Sequence, residues 1–167
     1  MLKCEDKLKK IVIDLVKTTS LDKISITAIC QKAKIKRQTF YYHYQSVYDL
    51  IYSIFYEMKI ECQDPYKFDQ IIKDLQTFLI KNSDFCLPLC DTGAFQILEE
   101  FVFGYLFRNL KEYFSILDLP KNKHRELSMF YASGIQKIIL QIFKYNEIKD
   151  IDLLKELRSF LNLNLKF

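Results

Sequence analysis

The 167-residue chain has no tryptophan and only three glycines, three prolines and two histidines. So few turn formers leave little room for the many short strands of a sandwich or barrel, and the recurring Leu, Ile, Lys, Glu and Phe favour long helices. An all-α fold is expected. No run of about 18 uninterrupted apolar residues occurs, and the amino-terminal MLKCEDKLKK has no apolar signal core, so a cytoplasmic protein without a membrane partner is expected. A glycine-rich phosphate loop and an HExxH pair are both missing, and neither His43 nor His124 has an obvious nucleophile beside it in sequence, so neither an enzyme nor a bound cofactor or metal is expected. The five cysteines, Cys4, Cys30, Cys62, Cys86 and Cys90, are odd in number and scattered, which suits reduced thiols.

What is there is a hydrophobic half of the chain, enough to bury a core, and a lopsided charge. Residues 1–48 carry ten Lys/Arg against four Asp/Glu, a local +6, whereas the other 119 residues come to −2 of the overall +4. A basic head on a slightly acidic body is the asymmetry of a chain whose one end meets a polyanion. A solvated basic surface with no partner is the plain alternative.

Periodicity divides the chain into helices. Leu8, Ile11, Val12, Leu15 and Val16 mark a first helix over about 4–19, with Lys9, Lys10 and Lys17 largely off its apolar stripe. Ser25 is placed to cap a short second helix over 26–33. After the turn Lys34-Ile35-Lys36, a third helix runs from Arg37 to Tyr44, with Phe40 and Tyr44 on one face and Gln38 and Tyr42 on the other. Ser46 can cap a fourth helix extending to about Cys62, ended by Asp64-Pro65. Later helices are expected at about 67–82, 93–116, 122–146 and 150–163, with a short irregular or helical piece at 84–90.

Two short helices joined by a tight turn after a longer amphipathic helix have the proportions of a helix-turn-helix, whose second helix enters a DNA major groove. The residues on offer there, Lys36, Arg37, Gln38, Thr39, Tyr41, Tyr42 and His43, are rich in donors: cations and tyrosine hydroxyls suit phosphate oxygens, and Gln38 suits a base edge, adenine if bidentate. Taken singly, Tyr41, Tyr42 and Tyr44 read equally well as packing aromatics, and His43 as a surface histidine.

The ordered run Ile26-Thr27-Ala28-Ile29-Cys30-Gln31-Lys32-Ala33, then Ile35, then Arg37-Gln38-Thr39-Phe40-Tyr41-Tyr42-His43-Tyr44, followed by Val47, Asp49 and Leu50, resembles the DNA-binding signature of the TetR family. The resemblance covers about 45 residues. It implies an all-α chain with an amino-terminal three-helix helix-turn-helix domain (residues 1–48, motif about 26–44) and a helical effector-binding and dimerisation domain (49–167). It also implies that Thr27 reaches DNA from the start of the second helix, that Arg37, Gln38 and Thr39 face the groove, and that Tyr41, Tyr42 and His43 hold phosphates while Phe40 and Tyr44 lock the helix to its scaffold. The chain departs from the family pattern at Lys34, where glycine is usual and a left-handed backbone is called for, and at Val47, where a phosphate-contacting lysine is common.

The remainder holds Phe68, Phe78, Phe85, Phe95, Phe101, Phe103, Tyr105, Phe107, Tyr113 and Phe114, either plain core or, in a TetR-like body, walls of a pocket for a small apolar or aromatic effector. Any such cavity is expected between the 93–116 and 122–146 helices. The last two helices carry Phe130, Ile135, Ile138, Ile139, Ile142 and Phe143, then Ile151, Leu154, Leu157, Phe160 and Leu161. That excess of apolar surface suits pairing with the same helices of a second copy into a four-helix bundle. Phe130 to Ile135 also resembles the start of the penultimate helix of a subgroup of short TetR-like regulators. The expected function is a homodimeric, ligand-responsive repressor on a palindromic site in double-stranded DNA. The alternative is a TetR-like coactivator or adaptor that does not read DNA, to which Lys34 and Val47 lend support. Cys86 and Cys90, with Cys62 and His124, raise a metal- or redox-sensing option against the plainer reading of small buried hydrophobes.

Overall fold

A computed structural model describes residues 4–145 and 147–161. The side chains of Lys121, Phe160 and Leu161, and residues 162 and 163 of the expected last helix, lie outside the described part. The described residues are helical, with no strand among them: α1 (Cys4–Val16), α2 (Ile26–Ala33), α3 (Arg37–His43), α4 (Val47–Glu57), α5 (Phe68–Lys81), α6 (Ser83–Cys86), α7 (Phe95–Phe114), α8 (Lys121–Lys144) and α9 (Leu153–Leu161), with single 3-10 turns at Leu21–Lys23 and Leu87–Leu89.

α1 and α4 end furthest short of the carboxyl ends that their periodicity predicts. α1 stops at Val16 because the N–H groups of Thr18 and Thr19 both donate to the Leu15 carbonyl, at 3.1 and 2.9 Å, as does the Thr18 hydroxyl. Threonines at a helix end make such local bonds readily. α4 stops at Glu57, with Met58 extended at φ −67°, ψ 131°, and not at Cys62. Ile60 and Cys62 are modest helix formers, and the Gln63 N–H donates not to a carbonyl of its own turn but to the Asp74 carboxylate of α5 at 2.9 Å.

The residues fall into two compact units, one of Met1–Lys59 with Ser83–Leu98, the other of Ile60–Asn82 with Glu99–Phe167. In the first, α1 packs on α2, α4 and α6, and α2 on α3. The core comprises Leu8, Val12 and Val16 of α1, Ile29 and Ala33 of α2, Phe40 of α3, and Leu50, Ile51, Ile54 and Phe55 of α4, the last in a tilted ring contact with Phe85. Lys9 is also buried, although its position in the helix suggests the polar side. It is held by an ion pair to Glu57 at 2.5 Å, a partner 48 residues away that helical periodicity does not reveal.

In the second unit, α5 packs on α9. Ile71, Ile72, Leu75 and Leu79 of α5, Val102, Leu106 and Leu110 of α7, Ile135, Ile139 and Phe143 of α8, and Leu153 and Leu157 of α9 are buried. Polar groups inside this core are satisfied: the Tyr105 hydroxyl donates to the Ile71 carbonyl at 3.0 Å and the Gln136 amide to Glu99 at 2.9 Å. Gln76 donates to the Ile148 and Ile151 carbonyls, fixing the approach to α9, and Arg158 of α9 forks onto the Asp69 carboxylate at 2.8 and 2.6 Å.

Candidate nucleic-acid interface

The α2–α3 motif is built by three local devices. Ser25 caps α2, its hydroxyl accepting from the Ala28 N–H at 3.1 Å. At the other end Lys34 takes the left-handed conformation, φ 54°, ψ 46°, alone among the described non-glycine residues. There the Lys34 N–H donates to Gln31 and the Ile35 N–H to Cys30, the bond pattern of a Schellman cap. A lysine thus occupies a backbone position where glycine pays nothing, as its place in the turn predicts. The third device is cationic: Lys7 of α1 donates to the last α2 carbonyl, Ala33, at 2.6 Å, on the negative end of the helix.

α3 has two unlike faces. Phe40 is fully buried and Tyr44 nearly so, their rings 6.0 Å apart, and they fix the helix to its support. Opposite them Tyr42 is 85% exposed and Tyr41 50% exposed. Lys36 at the amino-terminal cap, then Arg37 and Gln38, are exposed; Thr39 is half-buried. Thr27 is exposed in the first turn of α2. Seven of the eight residues singled out for DNA contact thus lie on or beside one short helix, with an aromatic and basic surface opposite a dry anchor. His43 is partly withdrawn: its Nδ1 lies 3.0 Å from Glu5 Oε1 of α1 and its side chain is 18% exposed.

Val47 is the buried first residue of α4 and so contributes packing. Beside it Ser46 accepts from the Asp49 N–H at 3.1 Å while Asp49 accepts from the Gln45 N–H at 2.9 Å, a reciprocal cap. Three features of this unit escape sequence reading: the Glu5–His43 link, the Lys9–Glu57 pair, and Tyr48, whose hydroxyl donates to Asp22 at 3.3 Å. All are contacts between positions at least 26 residues apart.

Cys86 and Cys90 are buried in the first unit, with the Cys90 thiol 3.6 Å from the Cys86 carbonyl. Burial pushes the Cys86 thiol far up, with the nearby Cys90 adding to it, so the reactive thiolate is suppressed. No group of three or more His, Cys, Asp or Glu among the described residues could hold a metal ion. Nor is any described helix long and apolar enough to cross a membrane.

In the second unit, an open apolar groove of about 690 Å³ runs along α8 and is closed at one side by Leu157 of α9. Its walls come from α8, including Met129, Phe130, Gly134 and Ile138, and not from α7. Phe130 is 75% exposed. Of the apolar residues expected on this pair of helices, Ile135, Ile139 and Phe143 turn inward, while Phe130 remains outside. The segment Phe130–Ile135 lies in the middle of α8, not at its start.

No family model matches the chain, and no curated protein matches it. A solved structure described as "Dihydroxyacetone kinase operon activator DhaS" superposes with a TM-score of 0.64 at 21% sequence identity, over 96% of this chain and 93% of that one. The chain shares the all-helical fold of that structure.

Proposed function

We propose that this protein is a DNA-binding transcription regulator in which residues 1–48 read DNA and residues 49–167 bind an effector and dimerise. The observation that carries the reading is the two-faced α3: a fully buried Phe40 on one side, and Lys36, Arg37, Gln38, Tyr41 and the 85% exposed Tyr42 on the other. A helix with that much exposed aromatic and cationic surface, on a rigid two-helix mount, suits a groove lined with phosphates. Tyr42 and Tyr41 hydroxyls, Lys36 and Arg37 serve phosphates, Gln38 a base edge, and Thr27 the adjoining backbone.

The apolar groove of α8 and α9 is the face by which two copies pair, spacing two α3 helices by about one DNA turn of roughly 34 Å on a palindromic site. A small apolar or aromatic effector that changes that spacing releases the DNA. It needs to favour the released state by only a few kcal/mol to change occupancy substantially. Occlusion of a promoter makes the protein a repressor in the cytoplasm; the DhaS neighbour is described as an activator, so a promoter-reporter assay reads both signs.

The decisive test is a gel shift with the intergenic DNA upstream of the protein's own gene, with random duplex as competitor, at two salt concentrations. A specific shift that weakens steeply with salt is expected, because several phosphates are neutralised per subunit. A folded protein that binds neither duplex is an adaptor and not a DNA reader.

A further inference from the structure

His43 ends α3 and ties it to α1, with Nδ1 at 3.0 Å from Glu5 Oε1. A carboxylate only accepts, so Nδ1 carries the hydrogen. Nε2 has no hydrogen-bond partner among the described residues, and no buried side-chain nitrogen or oxygen there is left without one, so Nε2 reaches solvent. It does so beside Tyr42, whose ring centroid is 5.1 Å from the imidazole.

With Glu5 on Nδ1, the neutral ring offers a lone pair at Nε2. A DNA phosphate, itself only an acceptor there, meets that lone pair unfavourably, whereas an imidazolium donates to Glu5 and to the phosphate at once. We infer that DNA binding takes up one proton per subunit at His43, bridged between the Glu5 carboxylate and a backbone phosphate. The inference rests on α3 being the DNA-facing helix. The proton comes from solvent, resides on Nε2 in the complex and returns to solvent on dissociation. Glu5 is a positioning residue: it sets which nitrogen faces outward.

Among the described residues, the other charged or titratable groups around this corner are Lys7, Lys9 and Cys4 of α1, Cys30 of α2, Arg37 and Tyr42 of α3, Tyr44 at its carboxyl cap, and Glu57 of α4. Burial raises the Cys30 thiol, and Lys9 stays above its ordinary range. Lysine, arginine, tyrosine and glutamate ordinarily change charge outside the neutral range, and histidine within it. The chain's other histidine, His124, belongs to the second unit.

The test is fluorescence anisotropy of the labelled upstream intergenic duplex and a random duplex at constant ionic strength, between about pH 8.5 and about pH 6. For the wild type, affinity is expected to rise about three- to tenfold as pH falls, with at most one proton per subunit. The rise disappears in His43→Gln. In Glu5→Gln it is altered, because the carboxylate that holds Nδ1–H is gone. A wild type that binds equally at all pH values, or a His43→Gln variant that keeps the rise, overturns the inference while leaving DNA binding intact. If His43→Gln does not fold by circular dichroism, an unaltered pH profile in Glu5→Gln overturns it. Absence of DNA binding at every pH defeats both this inference and the DNA-reading function.

Discussion

Lys34 is the residue at which local strain can be weighed most directly. Its left-handed backbone, φ 54°, ψ 46°, costs an L-residue about 1–2 kcal/mol relative to the right-handed region, because Cβ crowds the following carbonyl. Glycine avoids that clash but loses about 0.4–1 kcal/mol through the greater freedom of its unfolded chain. The Lys34 side chain is exposed and neither replacement sacrifices packing, so the comparison isolates the backbone. Lys34→Gly is therefore expected to be more stable than Lys34→Ala by about 1 kcal/mol, roughly a fivefold difference in the folding constant and about 2–4 °C in Tm. Both variants lack the same charge, so an electrostatic contribution cancels between them. Urea unfolding followed by far-UV circular dichroism at a single pH measures the difference. Equal midpoints for the two variants, or a more stable alanine variant, refute the strain argument.

Tyr42→Ala leaves the unfolding midpoint within about 0.5 kcal/mol of wild type because the ring is exposed, yet lowers affinity for the upstream duplex; an unchanged affinity removes Tyr42 from the interface. Lys36→Ala weakens specific and random duplexes alike and reduces the slope of log affinity against log salt by about one, as read from anisotropy titrations. Phe130→Glu keeps helicity but shifts the protein from dimer to monomer in sedimentation velocity; a dimeric variant moves the interface off the α8 groove. For Lys9, burial works against the ammonium, but the Glu57 hydrogen bond and the surrounding negative charge outweigh it, leaving it raised. A base raised in the folded state stabilises below its unfolded value near about 10.4 and loses that contribution as pH climbs through the folded value. Wild-type stability is thus expected to exceed that of Lys9→Met by at most about 1 kcal/mol at neutral pH, since Glu57 is largely exposed, with the gap closing above about pH 10.5 in urea titrations.

The all-helical class, the order of the helices and the two-faced character of α3 were legible in the chain itself, because they depend on periodicity, caps and turns within a few residues. Ser25 and Ser46 cap the helices they precede, and Lys34 adopts the left-handed turn that its position demands. Phe40 and Tyr44 face inward while Gln38 and Tyr42 face outward, as a 100° step per residue requires.

What only the tertiary structure decided involves partners distant in sequence. The burial of Lys9 depends on Glu57, and the partial withdrawal of His43 depends on Glu5, neither of which helical spacing can bring together. Beyond α4, the Gln63 N–H likewise finds its acceptor on another element, in the Asp74 carboxylate of α5. On α8 the hydrophobic pattern marks Phe130 and Ile139 alike as apolar, and packing alone leaves the first exposed and the second buried. Local backbone preferences are carried by neighbouring residues, so sequence determines them; burial, ion pairing and the exposed edge of a ring depend on which distant groups arrive, so they belong to the fold.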